Sequence, residues 1–249
     1  MQIEVVTLFP DMIRQALQHG IVGRALTRGL LTVNTEDPRA HATDLHRTVD
    51  DRPYGGGPGM VLKPEPLTAA IGAATKRVPA GSRRIYLSAQ GRRFDQALAQ
   101  ELKVLPGMVL VAGRYEGIDE RVLATSIDEE ISVGDYVLSG GELPALLVID
   151  AVARLLDGAL NDARSSVEES FATGLLDWPH YTRPEQFAGL DVPEVLLSGD
   201  HAKIRRWRLK QALAKTWVKR PDLLLRRPVE PEAAAEQAEL LNEFLQEKK

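Results

Sequence analysis

The sequence predicts an α/β domain with a mainly parallel sheet, followed by a smaller helical region. Three observations lead there. Strand and helix signals alternate from Ile3 to Leu156. Glycine-rich loops follow several of the strand signals. After a small, polar, acidic stretch the strand signals stop and only helical periodicity remains.

Taken in order, Ile3 to Phe9 is a short apolar run of the kind a buried strand shows. Pro10 and Asp11 then open a helix, whose Met12, Ile13, Ala16 and Leu17 recur at helical spacing. Leu31 to Glu36 reads as a second strand. Pro64 to Arg77 reads as a helix with proline in its first turn. Arg84 to Ser88 reads as a strand, Phe94 to Lys103 as a helix and Met108 to Ala112 as a strand. Glu130 to Val133 and Tyr136 to Leu138 are short apolar pieces, and Glu142 to Leu156 is a long apolar helix. From Asp157 to Glu169 the composition changes to that of a linker, with Gly158, Asn161, Asp162, Ser165 and Ser166. Helical signals return at His201 to Lys219 and at Glu232 to Lys248. There is no internal repeat and no low-complexity tract.

Composition bounds the chemistry. Of the 249 residues, 44% are hydrophobic and 27% charged, so an ordinary core is available and global disorder is not expected. The 31 basic and 35 acidic residues give a net charge of −4, so a nucleic-acid partner has to be met by a local basic patch. Without cysteine there is no disulfide, no thiolate nucleophile and no thiolate-bound zinc. Of the five histidines, His41 and His46 lie nearest each other in a loop-like stretch, where a surface or structural role is expected. Met1 to Asp11 has the pattern of a strand rather than a targeting leader, and no run approaches a membrane span. A soluble cytoplasmic protein is the expectation.

Two standard nucleotide signatures, the phosphate-cradling G-x-x-x-x-G-K-[ST] and the dinucleotide G-x-G-x-x-G, do not occur. Glycine clusters follow strands instead. Val111-Ala112 runs into Gly113-Arg114-Tyr115-Glu116-Gly117, Ser132-Val133 into Gly134-Asp135-Tyr136, and Leu138 into Ser139-Gly140-Gly141. A further cluster, Gly55-Gly56-Gly57-Pro58-Gly59, follows Tyr54. Open α/β sheets bind ligands at the carboxyl ends of their strands, and glycine lets backbone approach a ligand closely. Backbone N–H and C=O groups in such loops could read an adenine edge without any phosphate. Plain turn chemistry would produce the same residues.

The tail carries the basic patch. Between His201 and Arg227 lie ten Lys or Arg and one acid, Asp222, a local charge of +9. Lys203, Arg205, Arg206, Arg208, Lys210 and Lys215 are the candidate RNA contacts, since a face of this kind neutralises phosphates. Trp207 and Trp217 are interleaved with them, and burial against their own domain is expected for both.

Five stretches are specific enough to carry a resemblance. HRTVDDRPYGGGPGM at 46–60, AGRYEGIDER at 112–121, SVGDYVLSGGELPAL at 132–146, SFATGLLDWPHYTRP at 170–184 and LLSGDHAKIRRWRLKQALAKTWVKRPDLL at 196–224 closely resemble the bacterial tRNA (guanine-N1-)-methyltransferase family. The likeness runs from Met1 to about Leu224. It implies a SPOUT-type fold with a deep trefoil knot in the α/β domain, a feature no periodicity argument could propose. It implies residues 1–160 as the domain that binds S-adenosylmethionine, 161–171 as a linker, and 172–249 as a helical domain that grips the anticodon arm of tRNA. It also implies a homodimer with its active site between subunits. The cofactor residues that the likeness assigns are Tyr86, Leu87, Ser88 and Gln90; Gly113, Tyr115, Glu116 and Gly117; and Val133, Gly134, Asp135, Tyr136, Val137, Leu138, Gly140, Gly141 and Pro144. Magnesium is a family expectation with no ligand cluster in this sequence.

The reaction so implied puts a methyl group on N1 of the guanine 3′ of the anticodon. That nitrogen carries a proton at neutral pH, so a general base and a partner for the developing charge are needed. The family places an aspartate base just before the Ser-Phe that is Ser170-Phe171 here, and this chain has Glu169. Either Glu169 serves as the base, or Asp177 takes more of the burden. Arg154 matches the position that contacts the target guanine. Two other readings stay open: a methyltransferase of this fold acting on another base or a ribose 2′-oxygen, and a tRNA-binding module without catalysis. Intact cofactor loops weigh against the second.

Overall fold

The computed structural model of the protein describes residues 1–161, 169–227 and 229–247. The chain falls into two compact units, Met1–Ala163 and Arg164–Lys249. Most of the 161–171 stretch expected as linker lies outside the described residues.

The first unit is built on a five-stranded sheet, every pairing of which is parallel. Its elements are β1 (Gln2–Val6), α1 (Pro10–Ala16), α2 (Gly20–Thr27), β2 (Thr32–Glu36), a 3-10 turn (Pro38–His41), β3 (Asp50–Asp51), β4 (Val61–Leu62), α3 (Pro64–Thr75), β5 (Arg83–Arg93), α4 (Gln96–Leu102), β6 (Gly107–Ala112), α5 (Glu120–Ser126), β7 (Glu129–Ser132) and α6 (Glu142–Ala153). The strands lie in the order β2-β1-β6-β5-β7, with β3 and β4 paired apart from them. Central β6 is buried along its whole length, as a strand covered on both faces should be. Its side chains alternate between two cores. Met108 and Leu110 pack with Ile3, Val5, Ile85 and Leu87 under α1, α2, α4 and α6. Val109 and Val111 pack with Tyr86, Leu67 and Ile71 under α3 and α5.

The alternation of strands and helices read from the sequence holds, with additions. The expected strand at Arg84 to Ser88 continues to Arg93 through a bulge. Ile131 of β7 lies opposite Leu87 and again opposite Arg92, so 88–91 stand out from the ladder. Gly91 permits this, because a Cβ there would strike the backbone of Glu130 and Ile131. Helices α2 and α5 are additions to the expected elements, as each is only about two turns long. The apolar piece Tyr136 to Leu138 forms no strand; its side chains are exposed. One buried carboxylate ties sheet to helix. Glu4 of β1 has no exposure and accepts from Asn34 Nδ2 at 2.7 Å and Arg77 Nε at 2.8 Å. Arg77 also reaches Glu36, at 2.6 Å.

The second unit holds β8 (Gln186–Phe187), β9 (Leu190–Asp191), α7 (Glu194–Leu197), α8 (His201–Lys219), α9 (Pro221–Arg226) and α10 (Pro231–Glu247). The side chain of Asp200 caps α8 by accepting from the N–H groups of Ala202 and Lys203, each at 3.1 Å. Leu175, Ala212, Leu213 and Leu240 form its small core. Two expectations need correction. Strand signals stop in the sequence, yet β8 and β9 form a two-residue hairpin whose turn, Ala188-Gly189, has positive φ at both positions. The strands are too short to show alternation. Trp217, expected inside, is 47% exposed. Trp207 is half-buried, with its ring 6.4 Å from that of Tyr181.

Candidate functional site

A cavity of about 320 Å³ opens where β6 and β7 end and where β5 bulges. Every cofactor residue assigned above lines it except Asp135. The amide of Tyr136 donates to the carbonyl of Gly134 at 2.9 Å, closing a tight turn that leaves Asp135 exposed at its corner. The lining also includes residues that the assignment lacked, among them Arg114, Glu120, Glu130 and Ser132. Arg114 and Glu120 stood inside the quoted stretch 112–121 and Ser132 inside 132–146, whereas Glu130 belongs to a strand that carries no glycine signal.

The walls are mostly backbone. The first is the turn after β6, where Tyr115 takes a positive φ of 62° and Gly117 one of 133°. The second is Ser139 to Gly141, just before α6. The amide of Gly141 donates to the carbonyl of Gly113 at 2.9 Å, joining the two. A Cβ on Gly141 would sit 2.6 Å from Cα of Ala112, and one on Gly113 would sit 2.7 Å from the hydroxyl of Tyr86. Glycine is therefore required at both positions by close approach. Burial pushes the Tyr86 hydroxyl up to about 12, so it stays protonated. The Tyr54–Gly59 cluster does not line the cavity. It stands behind it, with Gly59 against the Glu116 side chain and the amide of Glu116 donating to the carbonyl of Met60 at 3.0 Å.

The cavity is acidic. Among the described residues, Glu116, Glu120 and Glu130 line it against a single cation, Arg114. That cation is turned to other work. Its Nε donates to Glu142 at 2.9 Å, its Nη1 to the carbonyl of Ser139 at 3.1 Å, and its guanidinium lies 4.4 Å from the centre of the Phe9 ring. Such a site suits a cation and repels a phosphate.

The expected catalytic residues fall in both units. Arg154 caps the C-terminus of α6, and its amide donates to the carbonyl of Asp150 at 3.2 Å. Leu143 and Leu147, 51% and 43% exposed, lie on the same face of α6 three and two turns earlier. In the second unit Glu169 and Asp177 belong to one loop. The amide of Asp177 donates to the Ser170 hydroxyl at 2.9 Å, and that of Ala172 donates to the carbonyl of Glu169 at 3.2 Å. Phe171 between them has a φ of 72°, rare for a side chain of its size. Both carboxylate oxygens of Asp177 are engaged, Oδ1 by the amide of Trp178 and Oδ2 by Nε2 of His180, each at 2.8 Å. Among the described residues no group of three or more His, Asp or Glu could hold a metal ion.

The basic helix is less basic than its sequence. Glu239 and Glu243 of α10 accept from Arg206, and Glu243 and Glu247 pair with Lys210. Arg208 lies over the Trp178 ring at 4.9 Å. Lys203 and Arg205 are exposed, with Lys203 3.3 Å from Asp200; Lys215 is half-buried.

Comparison with known proteins adds a family to this geometry. Residues 1–226 match the family model described as tRNA (Guanine-1)-methyltransferase TrmD. A protein of Methylococcus capsulatus named tRNA (guanine-N(1)-)-methyltransferase is 60% identical over 247 residues, 99% of this chain and 97% of that one. Proteins of the same name from Sodalis glossinidius and Salmonella newport are 57% and 56% identical, over 99% and 98% of this chain and 97% and 94% of their own.

Proposed function

Since this chain belongs to the tRNA (guanine-1)-methyltransferase family, we propose that the acidic cavity holds S-adenosylmethionine and that the methyl goes to guanine 37, just 3′ of the anticodon. The chain transfers a methyl group to N1 of guanine in tRNA. The observation that carries the finer reading is the make-up of the cavity. Its backbone walls can take the edge of an adenine, and its three glutamates suit a ligand bearing sulfonium and ammonium charges. Bound there, S-adenosylmethionine supplies a methyl already activated for transfer.

The protein must then free and position N1. Glu169 accepts the N1 proton, and Arg154 donates to guanine O6 as negative charge builds there. Asp177 organises the loop, its Oδ1 accepting from the amide of Trp178 and its Oδ2 bonded to Nε2 of His180. The shared face of Arg154 with exposed Leu143 and Leu147, together with the exposed Tyr136 to Leu138, supports a homodimer in which α6 and this loop meet the second subunit. We read the fold as the SPOUT type with a trefoil knot through the cavity loops, residues 1–160 as the donor domain, 161–171 as the linker and 172–249 as the tRNA-binding domain. No described helix is long and apolar enough to cross a membrane. A cytoplasmic site follows from where tRNA is found.

The test is methylation of a tRNA transcript with labelled donor, followed by nucleoside analysis. Label in 1-methylguanosine at position 37 is expected; label in a ribose-methylated nucleoside, or at another guanine, overturns the assignment of the target. In single turnover, Glu169→Ala is expected to slow transfer by about 10²–10⁴-fold, while Glu169→Asp stays active. Near-normal transfer by the alanine variant removes Glu169 from the mechanism.

A further inference from the structure

Among the side chains around the cavity, the carboxylate of Glu142 stands out. It opens α6, has no solvent exposure, and lies behind the wall rather than in the cavity. Its Oε1 accepts from the Thr7 hydroxyl at 2.8 Å and its Oε2 from Arg114 Nε at 2.9 Å. Three chain segments meet on it: the end of β1, the turn after β6, and the start of α6. We propose that Glu142 is a positioning residue, which through Arg114 fixes the distance between the two backbone walls of the donor cavity and keeps the Arg114 charge out of it.

Energetically, a buried carboxylate is a poor way to gain stability alone. Desolvation of the pair costs several kcal/mol per ion, and an apolar group of similar shape often serves as well. A hydrogen-bonded ion pair supplies direction and distance instead. Here the distance matters. Arg114 and Gly140 pair across the gap between the walls, and a Cβ on Gly140 would collide with the Arg114 side chain. The Gly141–Gly113 hydrogen bond spans the same gap. The Arg114 side chain thus packs against the backbone of the second wall while Glu142 holds its Nε, so Glu142 adds a side-chain tie to the main-chain contacts that join the walls. Charge adds a second effect. Arg114 is the one basic residue among the described lining residues, and without Glu142 its guanidinium would be released towards the site of a cationic ligand.

The part of this inference that concerns the donor rests on the reading of the cavity given above, and the experiment separates the two. Hydrogen–deuterium exchange is measured on the ligand-free wild type and on Glu142→Ala, Glu142→Gln and Arg114→Ala. Donor affinity is measured by calorimetry with S-adenosylmethionine. In Glu142→Ala, exchange across 112–118 and 139–144 is expected to rise by about tenfold or more, while β1 and β6 exchange as in the wild type. Donor affinity falls at least about tenfold. Glu142→Gln keeps the shape and an acceptor oxygen for Arg114, with the Thr7 hydroxyl able to accept from the new amide, and is expected to restore most of the protection. Unchanged protection of the two walls in Glu142→Ala overturns the proposal whatever the ligand is. So does uniform loss of protection through the sheet, which marks a merely structural role. Should Glu142→Ala fail to fold, Arg114→Ala, whose side chain is partly exposed, gives the same local signature or refutes it. A wild type that shows the wall protection but binds no donor refutes the reading of the cavity and leaves the positioning role standing.

Discussion

The cavity loops and the basic helix are both marked by local sequence pattern, and they fare differently in three dimensions. At the cavity the pattern is glycine after a strand. Its meaning is local, because positive φ and missing Cβ atoms act on the immediate neighbours of each glycine, and the two walls do close on one another through Gly113 and Gly141. On α8 the pattern is charge. Charge is summed over space, and three glutamates of α10, some thirty to forty residues further along, cancel much of what Arg206 and Lys210 bring. Sites made of backbone can be read from a short stretch; electrostatic faces cannot be read until the packing is known.

The largest effect that tests this contrast is at Gly141. Adding a Cβ 2.6 Å from Ala112 Cα must separate the walls. A displacement near 1 Å is worth on the order of a hundredfold. Gly141→Ala is therefore expected to lose about that factor in S-adenosylmethionine affinity by calorimetry, with tRNA retention on filters unchanged. A variant with normal donor affinity would mean that the wall tolerates movement and that the glycine was turn chemistry only.

The next effect concerns Glu4, the buried carboxylate on the same sheet that serves no cavity. Glu4→Ala leaves a void in the sheet and takes the acceptor from Asn34 and Arg77, although Arg77 keeps Glu36, so it should lower the denaturation midpoint. Donor affinity of the folded fraction should be unaltered. A selective loss of donor binding at Glu4 would erase the distinction between a structural carboxylate and the one at Glu142.

A smaller effect separates the basic residues on α8. Lys203 and Arg205 face solvent, so Lys203→Ala with Arg205→Ala should reduce the slope of log affinity for tRNA against log salt by about 0.7–0.9 for each phosphate no longer neutralised. Arg206→Ala with Lys210→Ala should hardly change that slope and should instead lower the melting temperature, since these side chains hold α10. Equal slopes for the two double variants would return all four residues to the RNA face.

How much could be read without coordinates follows the same line. The sheet was legible because β6 is a continuous apolar run and β1 and β5 each carry a short apolar piece, Val5-Val6 and Ile85-Tyr86-Leu87, and α6 because apolar residues fill most of it. Short α2 and α5 offered too few turns for periodicity. The bulge in β5 was invisible, since it depends on Gly91 meeting a strand some forty residues later. Asp135 was assigned to the cavity with its neighbours because a motif is a run, whereas a tight turn points successive side chains different ways. Glu142 was read only as the first residue of a helix, because nothing in sequence brings Thr7 and Arg114 to it.

The smallest predicted effect is an acid one, and it bears on the helix side of the contrast. Hydrogen bonds from Arg206, then Lys210, draw the Glu243 carboxyl down to about 2 from an ordinary 4.5. A carboxyl depressed on folding stabilises the folded state fully above its unfolded value and ceases to do so as pH falls towards the folded one. The contribution of Glu243 is thus complete at neutral pH and drains away between about 4.5 and 2. The group is solvent-accessible, so salt should weaken the effect throughout. Melting curves of wild type and Glu243→Gln, taken from pH 7 downwards at low salt, should show a gap that narrows through this window and closes near its lower end. A gap that persists unchanged to the acid limit would show that Glu243 stabilises α10 by packing, and the basic face of α8 would then keep more of its charge for RNA than the ion pairs suggest.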